Sequence, residues 1–525
     1  MTGVSIRRAD FMMVLAYASD LATGHSRDFA LRSCVVAMRL ADLAGLAEAD
    51  RRAAYHQSML RYVGCNADTH LMAAAFGDEI ALRQGLVGLD MGDRAALGKV
   101  FVQAFKRLYY DLDPAAQEEA IAAGLGQAVA TSRPILTAHC EVARRIGERL
   151  GLPAAIGANL GQIYERWDGK GLPRGLSGDA VLPAVRLITL AQDMIALADA
   201  VGVDAMAETV AARGDGPYEA ELARLAATHA AALMAGIGPT VERETILALE
   251  PDPPAMLDEA EADEAFLAVA DMIDMRMPFT LGHSRAVAGL AEAAGRQMGL
   301  PAADLRALRW SGCIHDIGEL VVPVATWMRS GPLSVRERDA AQLHPYYGER
   351  ALASFGRDGE ATGALVLRHH ERLDGSGYHR GATAADLPPA ARILAAAEAF
   401  QTAREERPHR KALSAEAAAA GLRAAVREGG LCADAVEAVL AVAGQPARRV
   451  PPRALSGLTP REIEVLRLIA AGLTAKETAR RLAISPKTAD HHVQSIYGKI
   501  GVTTRAAAAL FAVEHGLLRA GEAPA

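Results

Sequence analysis

The sequence predicts an all-α protein made of two tandem helical bundles followed by a small C-terminal helical domain. Apolar residues recur at spacings of three and four, alanine and leucine are abundant, and alternation of β-branched residues is almost absent. A chain of 525 residues, 51% of them hydrophobic, is long enough for about three or four domains. The spacing of apolar residues predicts the fold class, and changes in composition together with repeated motifs predict the division of the chain into domains.

Two segments of altered composition separate the predicted domains. Residues 246–264 are acidic and contain prolines, and residues 446–456 are rich in proline and arginine. Both compositions are typical of linkers. The predicted domains are therefore residues 1–245, 265–445 and 457–525.

The first two domains share three landmarks in the same order. GHSR occurs at 24 and at 282, RYVGCNADTH at 61 lines up with RWSGCIHDIG at 309, and IYERWDGKGLPRG at 163 lines up with HHERLDGSGYHRG at 369. Ordered landmarks of this kind indicate a duplication. Residues 1–245, the first copy, are predicted to be a divergent version of residues 265–445, the second copy.

The composition also excludes several classes of protein. A formal net charge of −7 is not that of a chain devoted to nucleic acid, so any DNA contact must come from one segment. The five cysteines form no CxxC pair, which argues against a disulfide framework or a thiolate zinc site. No signal peptide or bilayer-spanning stretch is evident, and we expect a cytoplasmic protein without a membrane segment.

Ligand-type residues recur in the second copy at points where helices are predicted to converge. Imidazoles and carboxylates without thiolates suit iron, manganese or zinc, and a carboxylate can bridge two such ions. Seven ligands are too many for one ion, whereas two ions about 3.5–4 Å apart would clamp the attacking and leaving oxygens of a phosphoryl displacement. The seven candidate ligands are His283, His315, Asp316, His344, His369, His370 and Glu398.

The order GHS, HDIG, HP at 344, HHERLDGSGY, and ARILAAAEAF followed by RPHRKALS resembles the HD-GYP subgroup of HD-domain metal phosphohydrolases. The resemblance covers residues 265–445 and implies a helical bundle with two divalent ions, usually iron or manganese. It also implies hydrolysis of cyclic di-GMP or a related cyclic dinucleotide, with a hydroxide between the metals as nucleophile.

Specific roles follow from the same resemblance. His315 and Asp316 are the implied catalytic pair, and Arg329 and Lys411 stand where the family carries basic residues that meet phosphate charge. Asp316 would bridge the two metals. One ion would be held by His283, His315, Asp316 and Glu398, and the other by Asp316, His344, His369 and His370.

Three departures from the family pattern keep alternatives open. Glu319 stands in place of a lysine, Glu398 in place of an aspartate, and His379 in place of the proline of the GYP motif. A second hypothesis is therefore a sensor of nucleotide or metal that controls transcription without turnover. A third is hydrolysis of a phosphomonoester or nucleotide.

The first copy has lost four of the seven ligand types, so it is interpreted as a degenerate HD-like bundle for sensing, dimerisation or regulation. Its retained positions are His25, Asp68 and His139, and its substituted positions are Ala67, Ile163, Tyr164 and Gln192.

The C-terminal segment is locally basic and is predicted to form four short helices. Between residues 457 and 505, eight lysines and arginines face four acidic residues, and Ser485 followed by Pro486 is a strong helix start. The segment is similar to the LuxR-type helix-turn-helix, which implies DNA binding through residues 457–525 and a homodimer on paired half-sites. The implied DNA-facing residues are Lys476, Ser485, Lys487, Thr488, His491 and His492.

Overall fold

The computed structural model describes residues 6–67, 69–251, 253–446 and 458–514, together with Leu517. Most of the described chain is helical, which confirms the predicted all-α class. Ile6–Arg7 (β1) and Met256–Leu257 (β2) form a two-stranded antiparallel pair in which Ile6 lies opposite Leu257. No helix within these ranges is long and apolar enough to cross a bilayer.

The first copy is a bundle of helices around two central ones, α2 and α9. Short 3-10 helices occur at Val63–Asn66 and Gly178–Ala180. The α-helices are α1 (Arg8–Thr23), α2 (Phe29–Leu43), α3 (Glu48–Leu60), α4 (Thr69–Phe76), α5 (Glu79–Leu86), α6 (Arg94–Leu108), α7 (Pro114–Arg149), α8 (Ala154–Leu160), α9 (Pro183–Val201), α10 (Val203–Ala212), α11 (Ala220–Thr228), α12 (Ala230–Met234) and α13 (Arg243–Ala248).

The second copy is a bundle in which α15 packs against α16, α21 and α23. Its 3-10 helices are Pro278–Thr280, Ile317–Val321 and Ala353–Phe355. The α-helices are α14 (Glu259–Asp274), α15 (His283–Gln297), α16 (Ala302–Ile314), α17 (Val324–Trp327), α18 (Val335–Gln342), α19 (His344–Ala351), α20 (Gly356–Val366), α21 (Pro389–Arg404), α22 (Ala415–Glu428) and α23 (Ala433–Val442).

The duplicated turn adopts the same structure in both copies. Glu165 accepts hydrogen bonds from the backbone N–H groups of residues 174 and 176, both at 2.8 Å, and Glu371 accepts from those of residues 380 and 382, at 3.1 and 2.9 Å. Both turns require glycine, because a Cβ at Gly171 or Gly377 would lie 2.5 Å from backbone atoms. The turn is therefore a scaffold shared by both copies.

The two copies share a hydrophobic core across the predicted boundary. Phe11 of α1 lies edge-on to Phe266 of α14 and Phe355, with ring centroids 4.8 and 4.7 Å apart. One cluster of buried apolar residues runs from the first copy into α14 and α16. Residues 246–264, predicted as a linker, contain the end of α13, β2 and the start of α14.

The C-terminal domain has its own small core and well-defined helix starts. Thr459 and Thr474 each form a capping box with a glutamate three residues later, and Ser485 accepts a hydrogen bond from the backbone N–H of Thr488 at 3.1 Å. The helices are α24 (Pro460–Ala470), α25 (Ala475–Arg481), α26 (Pro486–Ile500) and α27 (Arg505–Glu514). Most of the predicted linker at 446–456 lies outside the described residues.

Candidate metal centre and nucleic-acid interface

The seven predicted ligands come from five helices or helix ends and converge in the second copy. Each helix contributes residues near a terminus or on its buried face, so the ligands are fixed by the packing of the bundle. His283 and His344 begin α15 and α19, His315 and Asp316 follow α16, His369 and His370 follow α20, and Glu398 lies in α21.

One group of ligands consists of His283, His315 and Glu398. Nε2 of His283 lies 3.3 Å from Nε2 of His315. Oε2 of Glu398 lies 3.0 Å from the first of these nitrogens and 3.3 Å from the second. All three side chains are buried, so their charges interact in a medium of low polarity.

The other group consists of Asp316, His344, His369 and His370. Nε2 of His344 lies 3.0 Å from Nε2 of His369. The His370 ring lies 4.2 Å from the His369 ring, centre to centre, and stacks on Tyr378 at 4.3 Å. One ligand atom from each of the four side chains lies within 4.8 Å of the others.

Asp316 lies between the two groups and faces both. Its Oδ2 is 3.6 Å from Nε2 of His283 and 3.2 Å from Nε2 of His315. Its Oδ1 is 3.4 Å from Nε2 of His344 and 3.6 Å from Nε2 of His369. One carboxylate can thus supply one oxygen to each group, as a bridging ligand would.

The backbone fixes the orientation of three of the imidazoles. Nδ1 of His315, His344 and His369 lies 2.9, 2.7 and 2.6 Å from the carbonyl oxygens of residues 312, 341 and 366. A carbonyl only accepts, so each Nδ1 carries the hydrogen and each neutral ring turns an Nε2 lone pair inward. Lone pairs 3.0–3.3 Å apart repel unless a cation or a proton lies between them. This donor set fits bound metal ions.

The electrostatics of the centre also favour positive charge. Burial lowers the pKa of the His315 imidazole, but the Asp316 and Glu398 carboxylates together outweigh burial and raise it well above its ordinary value. Against the same effect of burial, Glu398 raises the pKa of His283 to about 10. Divalent cations would experience the same attraction.

A set of supporting residues was not predicted. Oε2 of Glu405 lies 2.8 Å from Nδ1 of His283, and Nη2 of Arg407 lies 2.9 Å from the same oxygen. Thr402 donates a hydrogen bond of 2.5 Å to Oε1 of Glu398. Glu398 and Thr402 are four residues apart on one face of α21, and that spacing could have identified Thr402, whereas Glu405 follows the last residue of α21 with an extended backbone.

The two predicted phosphate-binding residues have surface partners. Arg329 pairs with Glu337 at 2.8 Å and Lys411 pairs with Glu406 at 3.6 Å, with 48% and 94% of the two basic side chains exposed. The structure does not join them to the carboxylates of the centre. Glu319, by contrast, is half-buried, and burial followed by the charge of Asp316 raises its pKa to about 8.

The corresponding place in the first copy holds a neutral hydrogen-bond network. Oη of Tyr164 lies 3.3 Å from Nδ1 of His139 and 3.0 Å from Sγ of Cys65. Tyr62 donates to Oε1 of Gln192 at 3.1 Å. Burial lowers the pKa of His139 to about 3, which favours the uncharged ring. Asp68, the carboxylate expected here, lies outside the described residues.

The C-terminal domain exposes most of its predicted DNA-facing residues. Lys476, Lys487, Thr488 and His491 are exposed and His492 is half-buried, while the exposed Ser485 caps α26. Two other cations of this basic segment serve the domain itself. Lys499 pairs with Glu462 at 2.6 Å, and Arg505 donates to the carbonyls of residues 469 and 473.

Two families match separate parts of the chain. Residues 118–212 and 268–428 match the family described as HD domain, and residues 456–512 match the family of bacterial regulatory proteins of the luxR type. The HD match falls in both copies. The luxR match covers the basic C-terminal segment.

The names of two relatives state an activity. The 3′3′-cGAMP-specific phosphodiesterase 3 of Vibrio cholerae is 23% identical over 416 residues, which are 78% of this chain and 89% of that protein. The cyclic di-GMP phosphodiesterase response regulator RpfG of Xanthomonas campestris is 31% identical over 185 residues, 35% of this chain and 49% of that protein.

A solved structure has the same fold over most of the chain. The crystal structure of a cyclic GMP-AMP specific phosphodiesterase of V. cholerae superposes with a TM-score of 0.58 at 19% identity. The match covers 85% of this chain and 99% of that one. Most of the chain therefore shares its fold with that structure.

Proposed function

We propose that the chain is a metal-dependent phosphodiesterase of cyclic dinucleotides coupled to a DNA-binding output. Residues 118–212 and 268–428 match the HD-domain family and residues 456–512 match the luxR family, which supports this proposal. The observation that carries the proposal is Asp316, whose two oxygens face two separate groups of histidines. The names of the relatives support cyclic di-GMP or 3′3′-cGAMP as the substrate.

The centre would hold two divalent ions, with iron or manganese as our proposed metals. His283, His315 and Glu398 would hold one ion, His344, His369 and His370 the other, and Asp316 both. Two such ions supply charge to the phosphoryl oxygens and lower the pKa of a water molecule towards about 7.

The residues of the chain itself orient the ligands and exclude water. Backbone carbonyls hold the Nδ1 protons of His315, His344 and His369, and Glu405 accepts the Nδ1 proton of His283. The ligands are therefore preorganised, which is what a reaction dominated by electrostatics requires. We propose that His315 and Asp316 take part in catalysis as metal ligands that the chain holds in a fixed orientation.

Phosphate charge would be met by basic side chains at the rim. We retain Arg329 and Lys411 as proposed phosphate contacts. Each forms an exposed ion pair with a glutamate, and such pairs are weak in water, so a phosphate group can replace the glutamate. Arg407, which is largely buried beside Glu405, adds positive charge closer to the ligands.

The test uses full-length protein loaded with manganese or iron. We expect two ions per chain by metal analysis and hydrolysis of cyclic di-GMP or 3′3′-cGAMP, with bis(p-nitrophenyl) phosphate as a generic phosphodiester. Asp304→Asn, an exposed change on α16, is the matched control for Asp316→Asn. Two bound ions without hydrolysis of any of the three compounds would refute the enzymatic proposal.

A second candidate is a sensor that binds a cyclic dinucleotide without turnover. Glu319 favours this candidate, because a carboxyl group stands beside Asp316 where the family usually has a lysine. Ligand-dependent DNA binding by a protein that turns over no substrate would support it. If Glu319→Lys then restores hydrolysis, the substitution of that lysine is the cause of the inactivity.

The C-terminal domain is proposed to bind DNA as a homodimer, with α26 in the major groove. Lys487, Thr488 and His491 would contact bases or phosphates, while His492, Ser485 and Lys476 would support or flank that contact. Equilibrium sedimentation of the full-length protein with and without DNA tests the dimer, and a monomer bound to a single half-site would contradict it.

A further inference from the structure

A buried ion pair joins the two copies next to the candidate metal centre. Oε1 of Glu79, in α5 of the first copy, lies 3.0 Å from Nη2 of Arg276, which follows α14 of the second copy. The two side chains are 0% and 1% exposed although their residues are 197 positions apart. Burying both charges is costly, so the pair is unlike the exposed ion pairs on the surface.

Both partners also bind the backbone of residues 317–324, the loop that follows Asp316. Nη1 of Arg276 donates to the carbonyl of Glu319 at 2.8 Å, and Nη2 donates to that of Val322 at 2.9 Å. The backbone N–H of Val324 donates to Oε1 of Glu79 at 2.9 Å. One carboxylate and one guanidinium therefore hold this loop at residues 319, 322 and 324.

Apolar packing extends the same contact to His344. Val324 is fully buried against Ala73 of α4, in the first copy, and against Met277. Trp327, at the end of α17, packs on this cluster and lies edge-on to the imidazole of His344, with ring centroids 6.3 Å apart. The first copy thus supports two candidate ligands, Asp316 through the loop and His344 through the indole ring.

The opposite end of α5 binds the substituted site of the first copy. One helical turn after Glu79, Arg83 donates to the carbonyls of Cys65 and Ala22 at 2.7 and 2.9 Å. Sγ of Cys65 in turn contacts Tyr164, which stands at the position of His370. Helix α5 therefore connects the former site of the first copy with the intact site of the second.

We propose that Glu79 is a positioning residue for the metal centre: paired with Arg276, it fixes residues 317–324 and thereby the placement of Asp316. The loop must hold Asp316 so that each of its oxygens stays within 3.6 Å of two imidazoles. Replacing a residue that orients a metal ligand without itself binding the metal typically changes metal affinity or activity by about 10–100-fold. The part of this inference that concerns hydrolysis depends on the proposed function, whereas the part that concerns metal binding does not.

The experiment compares three forms of the full-length protein. Glu79→Gln removes the charge and keeps the shape, and Glu264→Gln is the matched control, because Glu264 also forms an ion pair between α14 and the first copy, with Arg149 at 2.6 Å, but does not contact the loop. Manganese affinity is measured by competition with a chelator, and kcat and KM are measured with 3′3′-cGAMP. For Glu79→Gln we expect affinity about 10–100-fold weaker and kcat reduced by a similar factor, with KM within about twofold.

Glu79→Gln leaves Arg276 buried without a counter-charge, so a second variant separates positioning from folding. In Glu79→Gln with Arg276→Met no unpaired charge remains, and replacement of a buried pair by apolar groups often preserves folding. The same loss of manganese affinity in this folded double variant would support the proposal.

Three results would overturn it: wild-type manganese affinity in the folded double variant, an equal effect of Glu264→Gln, or loss of folding in both Glu79 variants with the control intact. Failure of the wild type to hydrolyse 3′3′-cGAMP would count against the proposed function, and manganese affinity alone would then decide the role of Glu79.

Discussion

Replacing Phe11 with alanine is expected to destabilise both copies together. Phe11 belongs to the first copy, yet it is completely buried and lies edge-on to Phe266 and Phe355 of the second. Truncating a buried phenylalanine costs about 3–5 kcal/mol of unfolding free energy. Each lost edge-to-face pair accounts for about 0.5–1.5 kcal/mol, so a value in the upper half of the range is expected.

The measurement needs a probe in the second copy. The chain has three tryptophans, and Trp310, which is 1% exposed and stacked on Phe266 at 4.7 Å, reports on the core of the second copy. With Trp167 and Trp327 replaced by phenylalanine, urea unfolding followed by fluorescence monitors this site alone. We expect Phe11→Ala to lower the midpoint seen by Trp310 and the midpoint seen by circular dichroism to the same extent.

A separate response of the two probes would refute the shared core. If Phe11→Ala lowered the circular-dichroism midpoint while the Trp310 midpoint stayed unchanged, the two copies would unfold independently. Tyr110→Ala is the control, because this aromatic residue of the first copy is 81% exposed. Its effect should remain within about 0.5 kcal/mol.

Three further predictions concern the metal centre and the C-terminal domain. Asp316→Asn should remove both metal ions, because Asp316 faces both groups of histidines. It should lower the rate of hydrolysis by more than the factor of about 10–100 that is typical of supporting residues, as metal analysis and initial rates would show. Retention of one full ion would contradict a bridging role. Lys487→Ala should weaken binding to all DNA sequences, since an exposed lysine at the start of α26 suits a phosphate contact. Measured by fluorescence anisotropy, the slope of log affinity against log salt concentration should fall by about 1. Burial opposes ionisation of Glu462, but hydrogen bonds from Lys499, Ser495 and Thr459 lower its pKa from 4.5 to about 2. The contribution of Glu462 to the stability of the domain is therefore present above pH 4.5 and is lost as the pH falls towards 2. Pepsin cleavage of α24 in the full-length protein should therefore rise steeply over that interval in the wild type and less steeply in Glu462→Gln.

The sequence was sufficient to predict what local chemistry encodes. The histidines of the second copy stand out because imidazole is rare in apolar helices, and the structure brings all seven candidate ligands together. The start of α26 was predicted because Ser485 accepts a hydrogen bond from a free N–H group of the first turn and Pro486 has no N–H group to leave unpaired. The supporting position of Thr402 follows the helical period from Glu398 and was within reach of the same reasoning, whereas Glu405 lies beyond the end of α21.

Long-range contacts were not predictable from one sequence. Glu79 begins α5 and Arg276 follows α14, and nothing within their own segments distinguishes a buried pair from a solvated one. The shared core was missed for a similar reason: the acidic, proline-containing composition of residues 246–264 suggested a linker, but composition does not show that β2 pairs with β1 or that Phe266 meets Phe11. Charge counting likewise did not show that two of the counted residues, Lys499 and Glu462, pair with each other within the domain.

The first copy shows why a substituted site can persist. Tyr164 stands at the position of His370 and Gln192 at that of Glu398, and neutral groups contact both: Cys65 and His139 lie beside the hydroxyl of Tyr164, and Tyr62 donates to Oε1 of Gln192. A neutral network removes the need for metal ions while the bundle around it remains. The retained bundle then supplies Phe11, Ala73 and Glu79 to the second copy. The first copy can therefore lose its metal ligands and still be needed, because its bundle supports the structure of the second copy.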